Sequence, residues 1–211
     1  MLKTLTFAAL TGALVSTAAF SADQRFSQMN THPSQGEVTL VEASMARLQP
    51  TGDGVFVHVD TGGLTPGHVH TLWFVVINDP AACEGAGCTS KDVLKRSDIV
   101  QADVGYGGGM IADENGRIQF NWFQAHGALD GGWFGYGLDD GETSEVHLAI
   151  NDHGPVLAGR EEEMLSSYRG GCTTESIPAP MPAIAHLSGE EGPNTCRLMQ
   201  FTIFKPAIPA S

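Results

Sequence analysis

Hydrophobic positions along this 211-residue chain recur in two ways. From Val55 to Asp60, valines at 55, 57 and 59 alternate with Phe56, His58 and Asp60. That period of two places successive side chains on opposite faces of a β-strand. From Leu72 to Ile77 the alternation gives way to an unbroken bulky run, Leu-Trp-Phe-Val-Val-Ile. The run is too short to cross a membrane and too rich in β-branched and aromatic residues for a helix. Trp73 and Phe74 point opposite ways in an extended chain, so the run predicts a central strand buried on both faces.

The same reading predicts strands over Glu37–Ala43, with Val38 and Leu40 inward, over Ser144–Asn151, and over Arg197–Phe204. In the second of these, Val146, Leu148 and Ile150 share one face and His147 takes the other. The Asp113-Glu114-Asn115-Gly116 segment predicts a tight hairpin joining Gly109–Ala112 to Arg117–Phe123, because Asn-Gly tolerates the positive φ such a turn needs. Arg160–Tyr168 predicts the one short helix, its acidic first turn suited to the helix dipole. Residues 89–103 are expected to form a helical turn or a crossing loop, 130–141 an irregular glycine-aromatic stretch, and 173–195 a long loop. Residues 22–36 lack periodicity and read as a loose N-terminal arm. Together these predict a single all-β domain over residues 37–206, a Greek-key β-sandwich with one short helix and long disulfide-tied loops.

Composition adds a compartment. The chain opens MLKTLTFAALTGALVSTAAFSADQ, with one positive residue before an apolar stretch that ends in small residues. This predicts a secretory signal peptide over residues 1–21, cut after Ser21 with Ala19 at the −3 position. The formal charge of −13 includes Lys3, so its loss leaves −14. So acidic a chain has no electrostatic footprint for nucleic acid, and no membrane insertion is expected after cleavage. Cys83, Cys88, Cys172 and Cys196 are the only cysteines. In an oxidising periplasm or exterior they read as two disulfides, and sequence-local closure favours Cys83–Cys88 with Cys172–Cys196. Structural zinc usually takes two close pairs, and only one pair here is close.

Two groups of side chains carry candidate chemistry. His68 and His70 lie two apart on a strand, so their rings leave one face roughly 7 Å apart. With His58, His147 or His153 they are candidate ligands for copper or zinc, provided that at least three converge. The alternative is five independent rings hydrogen-bonded to their neighbours. Trp122, Trp133 and Tyr136, with Phe123 and Phe134, are a candidate stacking platform for a sugar or another ligand, against the alternative of core packing. No G-x-S-x-G elbow, phosphate loop or free thiol supplies a catalytic residue.

Thr71-Leu72-Trp73, with Asn78, Pro80 and Cys83 behind it, resembles a pattern in a family of uncharacterised secreted bacterial proteins. His147, His153-Gly154-Pro155 and Gly170-Gly171-Cys172 belong to the same likeness, which implies an extracytoplasmic β fold and no particular activity. The segment Gly63-Leu64-Thr65-Pro66-Gly67-His68-Val69-His70 is also similar to the His-x-His strands of copper-zinc superoxide dismutases and chordin-type domains. The fold implied is an immunoglobulin-like or dismutase-like sandwich, with His68 and His70 at the positions of copper ligands. The dismutase's compact downstream run of bridging and zinc histidines is missing. The expected function is a non-catalytic binding or structural module of unknown ligand. A copper- or zinc-binding protein with a dismutase-like redox role comes second, and a hydrolase third.

Overall fold

The computed structural model describes residues 24–207, so the expected signal peptide lies outside the described residues. Nine strands form two antiparallel sheets. They are β1 (Arg25–Ser27), β2 (Asn30–Thr31), β3 (Met45–Thr51), β4 (Gly54–Thr61), β5 (His68–Ile77), β6 (Ala102–Ile111), β7 (Ile118–Ala125), β8 (Glu145–Pro155) and β9 (Arg197–Phe204). One sheet has the order β1-β3-β4-β7 and the other β2-β9-β8-β5-β6. The chain passes from β6 over to β7 in the opposite sheet before β8 returns beside β5, the crossing of a Greek-key sandwich.

The core follows the alternation in the strands. Val55, Val57 and Val59 of β4, Leu72, Phe74 and Val76 of β5, and Val146, Leu148 and Ile150 of β8 fill the space between the sheets. Trp122 of β7 joins them, its ring 4.8 Å from that of Phe74. A second cluster covers the outer face of the five-stranded sheet: Trp73, Ile77, Val104 and Tyr168, with Trp133 against them. β5 is therefore buried on both faces, as its unbroken apolar run predicts. Burying Phe74 and Trp73 each removes on the order of 150–250 Å² from water, and each stabilises the fold by a few kcal/mol.

Several expectations need correction. The strand expected at Glu37–Ala43 is an extended loop with a single bridge, Leu40 to Asn30. Val38 and Leu40 are exposed, and the strand itself starts at Met45, with Ala46 and Leu48 inward. Residues 25–31 are no loose arm: β1 extends one sheet through β3, and β2 extends the other through β9. Met29, fully buried between them, pins the segment. The turn at Asp113–Gly116 forms, with Gly116 at φ 69° and Asp113 Oδ1 accepting from the backbone N–H groups of Asn115 and Arg117. Its flanking strands, however, belong to different sheets, so the turn makes an arch and not a hairpin. Turn chemistry dictates reversal of the chain, not pairing of what flanks it.

In place of one helix the described residues form four short ones: α1 (Ser90–Lys95), α2 (Ser97–Val100), α3 (Glu161–Ser166) and α4 (Ala183–Leu187). α1 starts with a capping box, Thr89 with Asp92. α3 sits directly on the glycine-rich part of β6, where a side chain at Gly109 would collide with the Leu165 carbonyl. Both expected disulfides form, with Cα–Cα distances of 5.1 Å for Cys83–Cys88 and 5.4 Å for Cys172–Cys196. No helix among the described residues is long and apolar enough to cross a membrane.

Candidate functional site

The five histidines do not meet. His58 lies on the outward face of β4 in the four-stranded sheet, hydrogen-bonded to Asn121. His147 points to the outer face of the five-stranded sheet, its Nε2 2.6 Å from Glu145 Oε1. His153 shares that outer face and is fully buried. Its Nδ1 donates to the Gly170 carbonyl at 3.0 Å, and its Nε2 accepts from the Thr71 hydroxyl at 2.8 Å. Burial, opposed by the hydrogen bond to Gly170, pushes its pKa down to about 4, so the ring is neutral at pH 7.

His68 and His70 do approach each other, with ring centroids 6.5 Å apart at the end of β5. Both look to the buried carboxylate of Asp152: His68 Nδ1 at 3.0 Å from Oδ1, His70 Nε2 at 3.9 Å. His70 donates from Nδ1 to the His68 carbonyl, which leaves Nε2 buried and without a hydrogen-bond partner among the described residues. Asp152 is already engaged by His68 and by the backbone N–H of Gly154, with the Arg197 guanidinium 3.9 Å away. Among the described residues one trio of His, Cys, Asp or Glu donors falls within 4.8 Å: His153, Cys172 and Cys196. Its two sulfurs are spent in the disulfide. The predicted histidine set therefore supplies two neighbours and a carboxylate, not three converging rings. The reason is parity along paired strands. His70 stands opposite Asp152 on the core side, which puts His147 and His153 on the other side of the same sheet.

The aromatic candidates also separate. Trp122 is part of the core, and Phe123 stacks on Phe56 at 4.6 Å on the outward face of the four-stranded sheet. Tyr136 is exposed. Trp133 instead joins the outer cluster, packed 5.5 Å from Trp73 and 5.2 Å from Tyr168, with Phe134 beside it. Trp73 is aimed by its indole N–H, which donates to Thr71 Oγ1 at 2.9 Å. The loop carrying Trp133 is fixed by a residue that no pattern in the sequence marks. Asp103, fully buried, accepts from four backbone N–H groups, those of Val104, Phe134, Gly135 and Gly137, at 2.8 to 3.1 Å.

This aromatic wall bounds a cleft of about 360 Å³ on the outer face of the five-stranded sheet. Val75, Ala149 and Phe201 lie in its floor. One side is built from Cys88 to Leu94, the end of the small disulfide loop and the start of α1, and another from Met181 of the loop closed by Cys172–Cys196. His32, Thr89, Ser90, His147 and Tyr168 are the polar residues of the lining, and no Asp, Glu, Lys or Arg among the described residues reaches it. The size falls within the usual range of small-molecule sites, roughly 300–1,000 Å³, which are mostly apolar with a few placed polar groups. Fold and site together define an all-β sandwich with an apolar cleft outside one sheet. No protein-family model matches the chain, and no curated protein or solved structure shows significant similarity to it.

Proposed function

We propose that the protein is a non-catalytic binding module of the periplasm or cell exterior, and that its ligand occupies the cleft beside Trp73 and Trp133. The observation that carries this reading is the cleft itself: an apolar hollow left open where the same sheet is otherwise covered by packed loops. Two disulfides support the oxidising location. Titration with apolar aromatic probes tests the reading, since Trp73 and Trp133 line the site and report occupancy by their emission. Saturable change is expected, lost in Ala149→Phe, where a larger ring fills the floor. Absence of any saturable change across the probes would refute it.

A second reading, copper or zinc held at His68 and His70, is favoured by the buried, unpartnered Nε2 of His70 beside Asp152. The fit is partial. His70 Nε2 and Asp152 Oδ1, 3.9 Å apart, would stand almost opposite each other on an ion held at about 2 Å and must close toward a tetrahedral angle, and His68 has its Nδ1 turned to Asp152. Stoichiometric metal in untagged protein, lost in His70→Ala, would support that reading. A metal-free protein whose melting temperature is unmoved by copper or zinc would remove it.

A further inference from the structure

The polar groups of the cleft say more about its ligand than its volume does. His147 is held from behind: its Nε2 lies 2.6 Å from Glu145 Oε1, and Glu145 Oε2 accepts from Lys205 Nζ at 2.8 Å. Burial opposes charge on Glu145, but the hydrogen bonds from His147 and Lys205 prevail and hold its carboxyl below the ordinary value. An ionised carboxylate only accepts, so Nε2 of His147 carries a proton and Nδ1 is the ring nitrogen left to meet a ligand. His32 is fixed in the opposite sense. Its Nδ1 accepts the backbone N–H of Ser34 at 3.2 Å, so Nε2 carries the proton, and burial favours the neutral ring. Neither His147 Nδ1 nor His32 Nε2 has a hydrogen-bond partner among the described residues.

The lining therefore offers two imidazoles, each with one nitrogen open to a ligand, hydroxyls, and no Asp, Glu, Lys or Arg among the described residues. Lys205 is engaged by Glu145 and does not line the cleft. A carboxylate or sulfonate ligand would find no Lys or Arg in the lining and would approach the negative Glu145. A sugar would leave most of its hydroxyls against Val75, Ala149 and Phe201. Trp73, Trp133 and Tyr168 supply flat apolar area suited to a ring.

Resting on the proposal that the cleft is the binding site, we infer that its ligand is an uncharged aromatic compound bearing a hydroxyl, a phenol, whose hydroxyl hydrogen-bonds Nδ1 of His147. Three probes of one skeleton test this in the mature protein near pH 7: naphthalene, 2-naphthol and 2-naphthoate, followed by tryptophan emission or calorimetry. 2-Naphthol is expected to bind about tenfold more tightly than naphthalene, the worth of one satisfied hydrogen bond. It is also expected to outbind 2-naphthoate, and His147→Leu should remove its advantage over naphthalene while naphthalene still binds. Equal binding of naphthalene and 2-naphthol, or tightest binding of 2-naphthoate, overturns the inference and leaves the cleft as a binding site. Failure of all three, with Ala149→Phe indistinguishable from the parent, overturns the binding site as well. The comparison of probes on the unaltered chain holds even if the His147 variant fails to fold.

Discussion

The hydroxyl of Thr71 accepts the indole N–H of Trp73 at 2.9 Å and donates to Nε2 of His153 at 2.8 Å. One small side chain thus couples the aromatic wall of the cleft to a buried imidazole from the neighbouring strand, and Thr71 can donate to that ring only while His153 is neutral.

That requirement makes stability depend on pH. The folded-state pKa of His153 is about 4, against 6.5 for a free ring. Because the folded value is the lower one, the unfolded chain binds the proton first. The stabilisation is complete above about pH 6.5 and is lost as pH falls toward 4. Its size is on the order of 3 kcal/mol at about 1.4 kcal/mol per unit of pKa. Urea unfolding of the parent between pH 7 and 4 should show this slope. His153→Gln, unfolded over the same range, should show a flatter one from a lower starting stability.

Phe74 is fully buried between the sheets against Trp122. Phe74→Ala should lower the unfolding free energy by about 3–5 kcal/mol through lost burial and the cavity left behind. Chemical denaturation followed by circular dichroism measures it. A loss below about 1 kcal/mol would mean that the two sheets do not pack through this side chain.

Asp103→Asn keeps shape and volume but sets an amide N–H₂ against backbone N–H groups that now point at a carboxylate oxygen. A loss of about 2 kcal/mol or more is expected, with faster proteolysis within 130–138, the stretch that bears Trp133. Unchanged protease resistance of that stretch would show that the loop is held by something else.

The two disulfides should differ in worth. Closing a separation of 24 residues between Cys172 and Cys196 restricts the unfolded chain more than closing 5 between Cys83 and Cys88. Chain entropy gives about 3.5 kcal/mol for the first and about 2 for the second. Paired Cys→Ala variants, compared by thermal unfolding, should preserve this order.

Much of the fold was legible where local pattern and tertiary role coincide. The valines of β4, the apolar run of β5 and the even-numbered residues of β8 alternate or persist because the core demands it. β3 is hard to place from sequence because its inward set, Ala46, Leu48 and Pro50, holds one large apolar residue between a small one and a proline, while exposed Val38 and Leu40 upstream carry the louder signal. The arch at Asn115-Gly116 shows the same limit, since pairing partners are chosen by the whole sheet. For the histidines the needed sign was present: with Val146, Leu148 and Ile150 turned inward, His147 and His153 must face outward. The cleft was beyond reach, because its walls come from residues 32, 88–94, 133, 168 and 181, which are far apart in sequence.

One side wall of the cleft begins at a cystine and the other belongs to a loop closed by one, whereas the interior between the sheets contains none. Reduction would accordingly slacken the grip before it disturbed the frame. The walls of the hollow are fastened when the four thiols are oxidised, so a polypeptide kept among cellular reductants would keep its paired sheets while the space beside them lost its ties.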